Sequence, residues 1–217
     1  MHRDVLRSFF RSGAALGSGS IQPVPLFKKS LPDLMRTRLS ESQRFLILCL
    51  LCGLVCGTVS VGFHLGIEFL FESLVTKAQS FGPVYFVPVM IAAPTLAGLV
   101  AGLAIHFFAP SAVGGGITQT REAYFNQGGE VPLKAGVWRF LIGIVYLGMG
   151  NSLGREGPIA HISASISSAI GRWGFRDRQR ARAMLPVGMA AGVAAAFNAP
   201  LAAITFVYEQ LLDNFSM

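Results

Sequence analysis

Charge is what this sequence has least of: Asp, Glu, Lys and Arg make up 13% of the 217 residues, while 52% are apolar. So lean a charged fraction excludes an ordinary soluble domain, where about 25% is usual, and assigns the chain to a bilayer. Cysteine is scarce as well. Cys49, Cys52 and Cys56 have a spacing that would be a metal signal in a soluble loop, but inside an apolar run it marks one face of a helix. They are read as small buried hydrophobes, and no disulfide framework is implied. His64, His106 and His161 lie in different segments with no partner at ligand spacing, so packing or a local hydrogen bond is expected of them, not a metal. Residues 1–40 lack an apolar core followed by a small-residue cleavage site; no removable signal peptide is read, and this tail is expected to stay cytoplasmic.

The charge that is present is unevenly placed. Of a net +7, eight Lys and Arg fall in residues 1–44 and five Arg in residues 172–182. These are flanks of apolar segments, which argues for membrane orientation and against nucleic-acid binding. Residues 1–40 form a basic tail with two short stretches, 5–10 and 31–39, able to lie as surface helices. Residues 41–217 form the membrane domain. Ser40 with Gln43 makes a capping box ahead of the first apolar run, residues 45–71, enough to cross a ~30 Å hydrocarbon core with tilt. Gly53/Gly57 and Gly62/Gly66 are small-xxx-small pairs that predict close helix packing.

A turn with Gly82 and Pro83 leads to a second run, 84–108, with Pro88 and Pro94 inside it. A polar piece, 119–134, reads as a short cytoplasmic helix and turn. Further apolar segments follow at 133–153, 159–170, 183–198 and 201–212. Arg139 is expected to snorkel towards the cytoplasmic interface. The five arginines of 172–182 place that segment on the same side as the tail.

Three breaks interrupt the apolar pattern: residues 114–116, 154–158 and 197–200. Irregular backbone at membrane depth has to line a cavity or be buried in protein. The glycines at 114–116 read either as a flexible loop or as a nest of backbone N–H groups for an anion. Arg155 and Glu156 sit midway along an apolar stretch, where a charge costs at least about 2.5 kcal/mol. Pro158 suits the first turn of a new helix, whose N–H groups and positive dipole end favour an anion; the plainer alternative is a glycine hinge with a self-neutralising Arg–Glu pair. Gly148, Gly150 and Gly154 form a loose glycine fingerprint, but without a strand-turn-helix unit a dinucleotide enzyme is not supported.

G-R-E-G-P at 154–158 together with A-A-A-F-N-A-P-L-A-A at 194–203 resembles the CLC family of chloride channels and chloride/proton exchangers, with spacing and helix order agreeing from about Ser40 to Asp213. The resemblance implies an all-α membrane protein of tilted and broken helices, the first half of an inverted-repeat fold, multi-pass in the plasma (inner) membrane. It is a transporter and no enzyme, with no cofactor beyond chloride or another small anion as substrate. Its implied partners are the lipid bilayer and a second copy in a homodimer, or a complementary second-repeat half. Glu156 is implied as the gate and proton carrier; Gly114, Gly115, Gly116, Ile117, Arg155, Gly157 and Phe197 as the anion site; Glu209 and Gln210 as the inner proton path.

Three departures from the family pattern carry expectations. Gly115 stands where the family has a serine hydroxyl, so broader selectivity, including nitrate or fluoride, is open. Gln210 stands where exchangers carry an acid, which weakens proton coupling. The chain ends near the end of the first repeat, so a truncated non-transporting protein or scaffold needing a second half is the alternative reading.

Overall fold

The structure, a computed structural model, describes residues 40–80, 82–110 and 113–212; the expected surface helices at 5–10 and 31–39 lie outside them. Among the described residues every regular element is helical: α1 Glu41–Ser80, α2 Pro83–Phe108, α3 Ile117–Asn126, α4 Leu133–Gly148, α5 Glu156–Gly174, α6 Arg178–Phe197 and α7 Pro200–Val207, followed by a π-helical turn Tyr208–Leu212.

The capping box forms as read: Ser40 N–H donates to Gln43 Oε1 at 3.1 Å and Gln43 N–H to Ser40 Oγ at 3.3 Å. α1 then runs for 40 residues, about 60 Å at ~1.5 Å per residue. The apolar run 45–71 is therefore only part of it. No Gly or Pro stands between Gly66 and Gly82, and nothing ends the helix when it becomes polar. α4 stops at Gly148, short of the expected 153, because Gly150 adopts φ 91°, a left-handed conformation that glycine takes without steric cost. α5 begins two residues before Pro158, which occupies the first turn, where its missing N–H has no helical acceptor to lose. α6 starts within the arginine segment, its N-terminus capped by Asp177 accepting from Gln179 N–H at 3.1 Å.

α5 is the central helix. It packs on α6, α4, α1 and α3, with Ile159 to Ala164 buried in succession. Three of its serines donate to carbonyls, Ser165 to Ile162 O, Ser167 to Ala164 O and Ser168 to Gly129 O, so these hydroxyls cost little inside an apolar bundle, while the buried Ser163 hydroxyl makes no hydrogen bond among the described residues. α6 fits against it through glycine. A Cβ on Gly192 would collide with Ser163 Oγ, and one on Gly188 with Ser167. Of the α1 glycines, Gly57 touches Ala195 and Gly66 faces Ile144, while Gly53 and Gly62 have open space; one glycine of each pair makes the expected approach. Cys52 and Cys56 are buried beside Met184 and Leu48, with Cys49 Sγ 3.9 Å from Met184 Sδ. α1 and residues 84–108 of α2 are each long and apolar enough to cross a membrane. Many of their large apolar side chains, Leu50, Leu54, Phe69 and Val84 among them, face outwards.

The bundle has two distinct ends. One gathers Glu41 paired with Arg180 at 2.5 Å, Arg182 over the Tyr124 ring at 4.0 Å and Arg172 with Glu130 at 4.0 Å. Near the other, Leu70 and Phe71 of α1 lie beside Gly148 and Gly150.

Candidate functional site

Two helices begin side by side. α3 starts after Gly116 and α5 at Glu156, and their first ladder bonds are Thr120 N–H to Gly116 O at 3.0 Å and Ile159 N–H to Arg155 O at 3.1 Å. The amides ahead of those bonds, at residues 117–119 and 156–157, have no acceptor within their own helices. The two starts touch through glycine. A Cβ on Gly157 would collide with the Gly115 carbonyl oxygen, and one on Gly116 would stand 2.6 Å from Gly157 O and 3.0 Å from His161 Cβ. Gly114 and Gly116 also adopt φ 86° and 90°, a region closed to most side chains. Glycine is required here on two counts, backbone conformation and space.

A buried polar group holds the loop from below. Arg139 of α4, 5% exposed, donates from Nη2 to Gln119 Oε1 at 2.6 Å and to Val113 O at 3.3 Å; Gln119 Nε2 donates to the same carbonyl. The expected snorkelling of Arg139 is thus wrong: carbonyl and amide acceptors inside the protein compensate the guanidinium, and it stays in. His161 of α5, 3% exposed, has Nδ1 3.0 Å from Thr120 Oγ1 and 3.3 Å from Gly116 O. Thr120 donates to Gly116 O at 2.8 Å. A carbonyl only accepts, so Nδ1 carries the proton and donates. The loop is therefore fixed by one cation and three neutral donors, Gln119, Thr120 and His161, and positive charge lies beneath the paired helix starts.

The gate candidate lies at the same junction. Glu156 is exposed, and its carboxylate folds back over Gly154, where a Cβ would collide with Oε2. The Arg155 side chain turns to α1: its Nη1 donates to His64 Nδ1 at 2.5 Å, and His64 Nε2 lies 3.1 Å from Glu68 Oε1. A cleft of about 330 Å³ opens beside the loop, between α2 and α4, lined by Gly98, Gly102, Gly114, Arg139, Leu153 and Pro158.

The structure brings Gly114, Gly115, Gly116 and Gly157 together, with Ile117 half-buried at the start of α3. Phe197 stands apart in kind, 42% exposed at the end of α6, where Asn198 takes a left-handed φ of 51° and Pro200 restarts the chain as α7. Glu209 is exposed and Gln210 half-buried in the π-helical turn, which packs towards α3. Sequence reading missed Gln119, Thr120, Arg139, His161 and His64 as members of the site. A signal existed for two of them: a polar residue inside an apolar helix, as Arg139 and His161 are, marks a function by default.

Broken helices whose starts converge on a glycine loop, inside an apolar bundle, are an architecture that membrane transporters use to meet ions. Residues 97–217, more than half the chain, match the voltage-gated chloride channel family. The chain belongs to that family. It is 31% identical over 205 residues to the H(+)/Cl(-) exchange transporter ClcA of Vibrio cholerae, covering 88% of this chain and 42% of the relative. It is 33% identical over 180 residues to the protein of that name from Vibrio parahaemolyticus, covering 78% and 37%. A solved structure, the X-ray crystal structure of a slow cyanobacterial Cl-/H+ antiporter, superposes with a TM-score of 0.67 at 26% identity, over 77% of this chain and 40% of that one. The chain thus spans about two fifths of the length of these relatives.

Proposed function

We propose that this chain forms one wall of an anion pathway across the plasma membrane, with chloride or a similar anion at the paired starts of α3 and α5 and Glu156 as its gate. The observation that carries the reading is the contact of Gly115 and Gly116 with Gly157. It places two helix N-termini, each worth about half a positive charge, within one residue of an ionisable carboxylate. An ionised Glu156 competes with the anion for that positive end; a protonated or displaced one gives way. The proton bound in giving way is the one exchanged in an antiporter. Exposed Phe197, Leu201, Ile204 and Tyr208 along α6 and α7 offer the surface on which a second copy or a complementary half completes the pathway. Anion flux through proteoliposomes carrying the complete native protein tests this. Glu156→Gln should raise flux and abolish its dependence on pH; a folded variant with the flux and pH response of the parent protein would refute the gate.

A further inference from the structure

His64 sits between two charged groups of opposite sign. Its Nδ1 receives the Arg155 guanidinium at 2.5 Å, and Arg155 has only donors to offer. Nδ1 must therefore be bare, with the proton on Nε2 facing Glu68 at 3.1 Å. The tautomer is set from both sides. A proton added at Nδ1 would put an N–H and a second positive charge against the guanidinium while strengthening the pair with Glu68. The contact to Arg155 is thus available only to neutral His64. Glu156 is the next residue in the chain, so its carboxylate is within reach of a released Arg155 side chain.

Among the described residues, the charged groups recorded against His64 are Arg155 and Glu68, with Glu156 next to Arg155 in the chain and Glu72 one turn beyond Glu68 on α1. α4 brings Ile144 and Leu147 towards this part of α1; its bases, Lys134 and Arg139, lie in its first half and Tyr146 lines the cleft. The basic residues of α6 lie in residues 178–182 at the opposite end of the bundle. α2 carries His106 in its last turn and otherwise only Tyr85 among titratable side chains. α5 contributes Arg155 and Glu156 here, its other titratable groups, His161 and Arg172, lying further along.

We propose that His64 is a positioning residue for the gate: with Nδ1 bare it holds Arg155 on α1, and with Nδ1 protonated it releases Arg155 to draw the Glu156 carboxylate outwards, clear of the helix starts. The proposal rests on Glu156 acting as the gate. External acid then opens the pathway in two ways, through a proton taken up at His64 Nδ1, which frees Arg155, and through direct protonation of Glu156.

The test is the dependence of anion flux on external pH, in proteoliposomes of the complete native protein, for two substitutions. His64→Asn keeps an acceptor near the Nδ1 position and cannot take up a proton there; its activation by external acid should move to lower pH, only the direct route through Glu156 remaining. His64→Lys is a fixed cation; its flux at neutral pH should already match that of the parent protein in mild acid. In a Glu156→Gln background neither substitution should alter the pH response. Profiles that superpose on the parent for both variants overturn the proposal and leave the gate standing. A parent protein without flux overturns the transport reading, and the gate with it. A second measurement needs no transport: 15N resonances of the His64 ring should show an unprotonated Nδ1 that shifts on Arg155→Gln. A protonated Nδ1 in the neutral ring, or no response to that substitution, also overturns the proposal.

Discussion

Gly115 differs from the glycines on either side of it. Gly114 and Gly116 are held by positive φ, whereas a Cβ on Gly115 would meet nothing within 4 Å. A serine is therefore tolerated there, and its hydroxyl would add a donor to a site otherwise built from backbone dipoles. One net hydrogen bond is worth about 1 kcal/mol, so Gly115→Ser should favour chloride over nitrate by roughly fivefold in liposome flux, with the fold intact. Unchanged relative permeabilities would remove Gly115 from the anion's neighbourhood. Gly116→Ala offers the contrast: its Cβ would run into Arg139 and Gly157. The glycine run was legible as a break in the helical pattern because glycine in series disfavours a regular helix. Its supports were not legible. Arg139 reaches Gln119 and Val113 across 20 and 26 residues, and Arg155 reaches His64 across 91; pairings that depend on how helices fold back leave no mark in local spacing.

At the scale of the helix, the ends that sequence placed well are those made by local chemistry. The Ser40–Gln43 box and the Gly82–Pro83 entry into α2 need only near neighbours. The far end of α1, inferred from hydrophobicity alone, was wrong, since its polar continuation to Ser80 stays helical, whereas the apolar run 84–108 ends at Phe108 as α2 does. The seam between α5 and α6 is where helix packing is tightest. Gly192→Ala would drive a methyl group into Ser163, a small-to-large change that costs about 1–3 kcal/mol in a packed interior. Lower thermal stability in detergent is expected. Removing the obstruction with Ser163→Gly in the same chain should recover part of the loss, and a single Gly192→Ala variant as stable as the parent would contradict the packing described.

For the molecule as a whole, the segregation of charge predicts orientation. Arg172, Arg176, Arg178, Arg180 and Arg182 gather at the end that carries Glu41 and Tyr124, and such an excess of arginine marks the cytoplasmic side. Ser80 and Arg176 are both exposed. Cysteines introduced at these positions into the complete native protein should react oppositely with an impermeant thiol reagent applied outside intact cells: position 80 labelled, position 176 protected. Labelling at 176 would invert the topology. The charge asymmetry was readable in the sequence because it depends on counts near segment ends; the meeting of α3 with α5 was not, since nothing in local spacing couples a start at Ile117 to one at Glu156.

The glycine–serine seam also limits how this protein can move. Helices that interlock with the Ser163 side chain against the bare backbone of Gly192 have no slack in which to slide, because close-packed interfaces jump between discrete arrangements and do not deform smoothly. α5 and α6 then travel as a single stiff body, with the anion's helix start fixed to one end of it. The freedom needed for opening is left to parts outside that body: a carboxylate resting on Gly154, a guanidinium held by one imidazole, and whatever surface meets Phe197. With Glu156 as the proposed gate, opening would be a matter of side chains turning on a still frame, its speed set by rotamer changes and proton arrival and not by the rocking of these two helices.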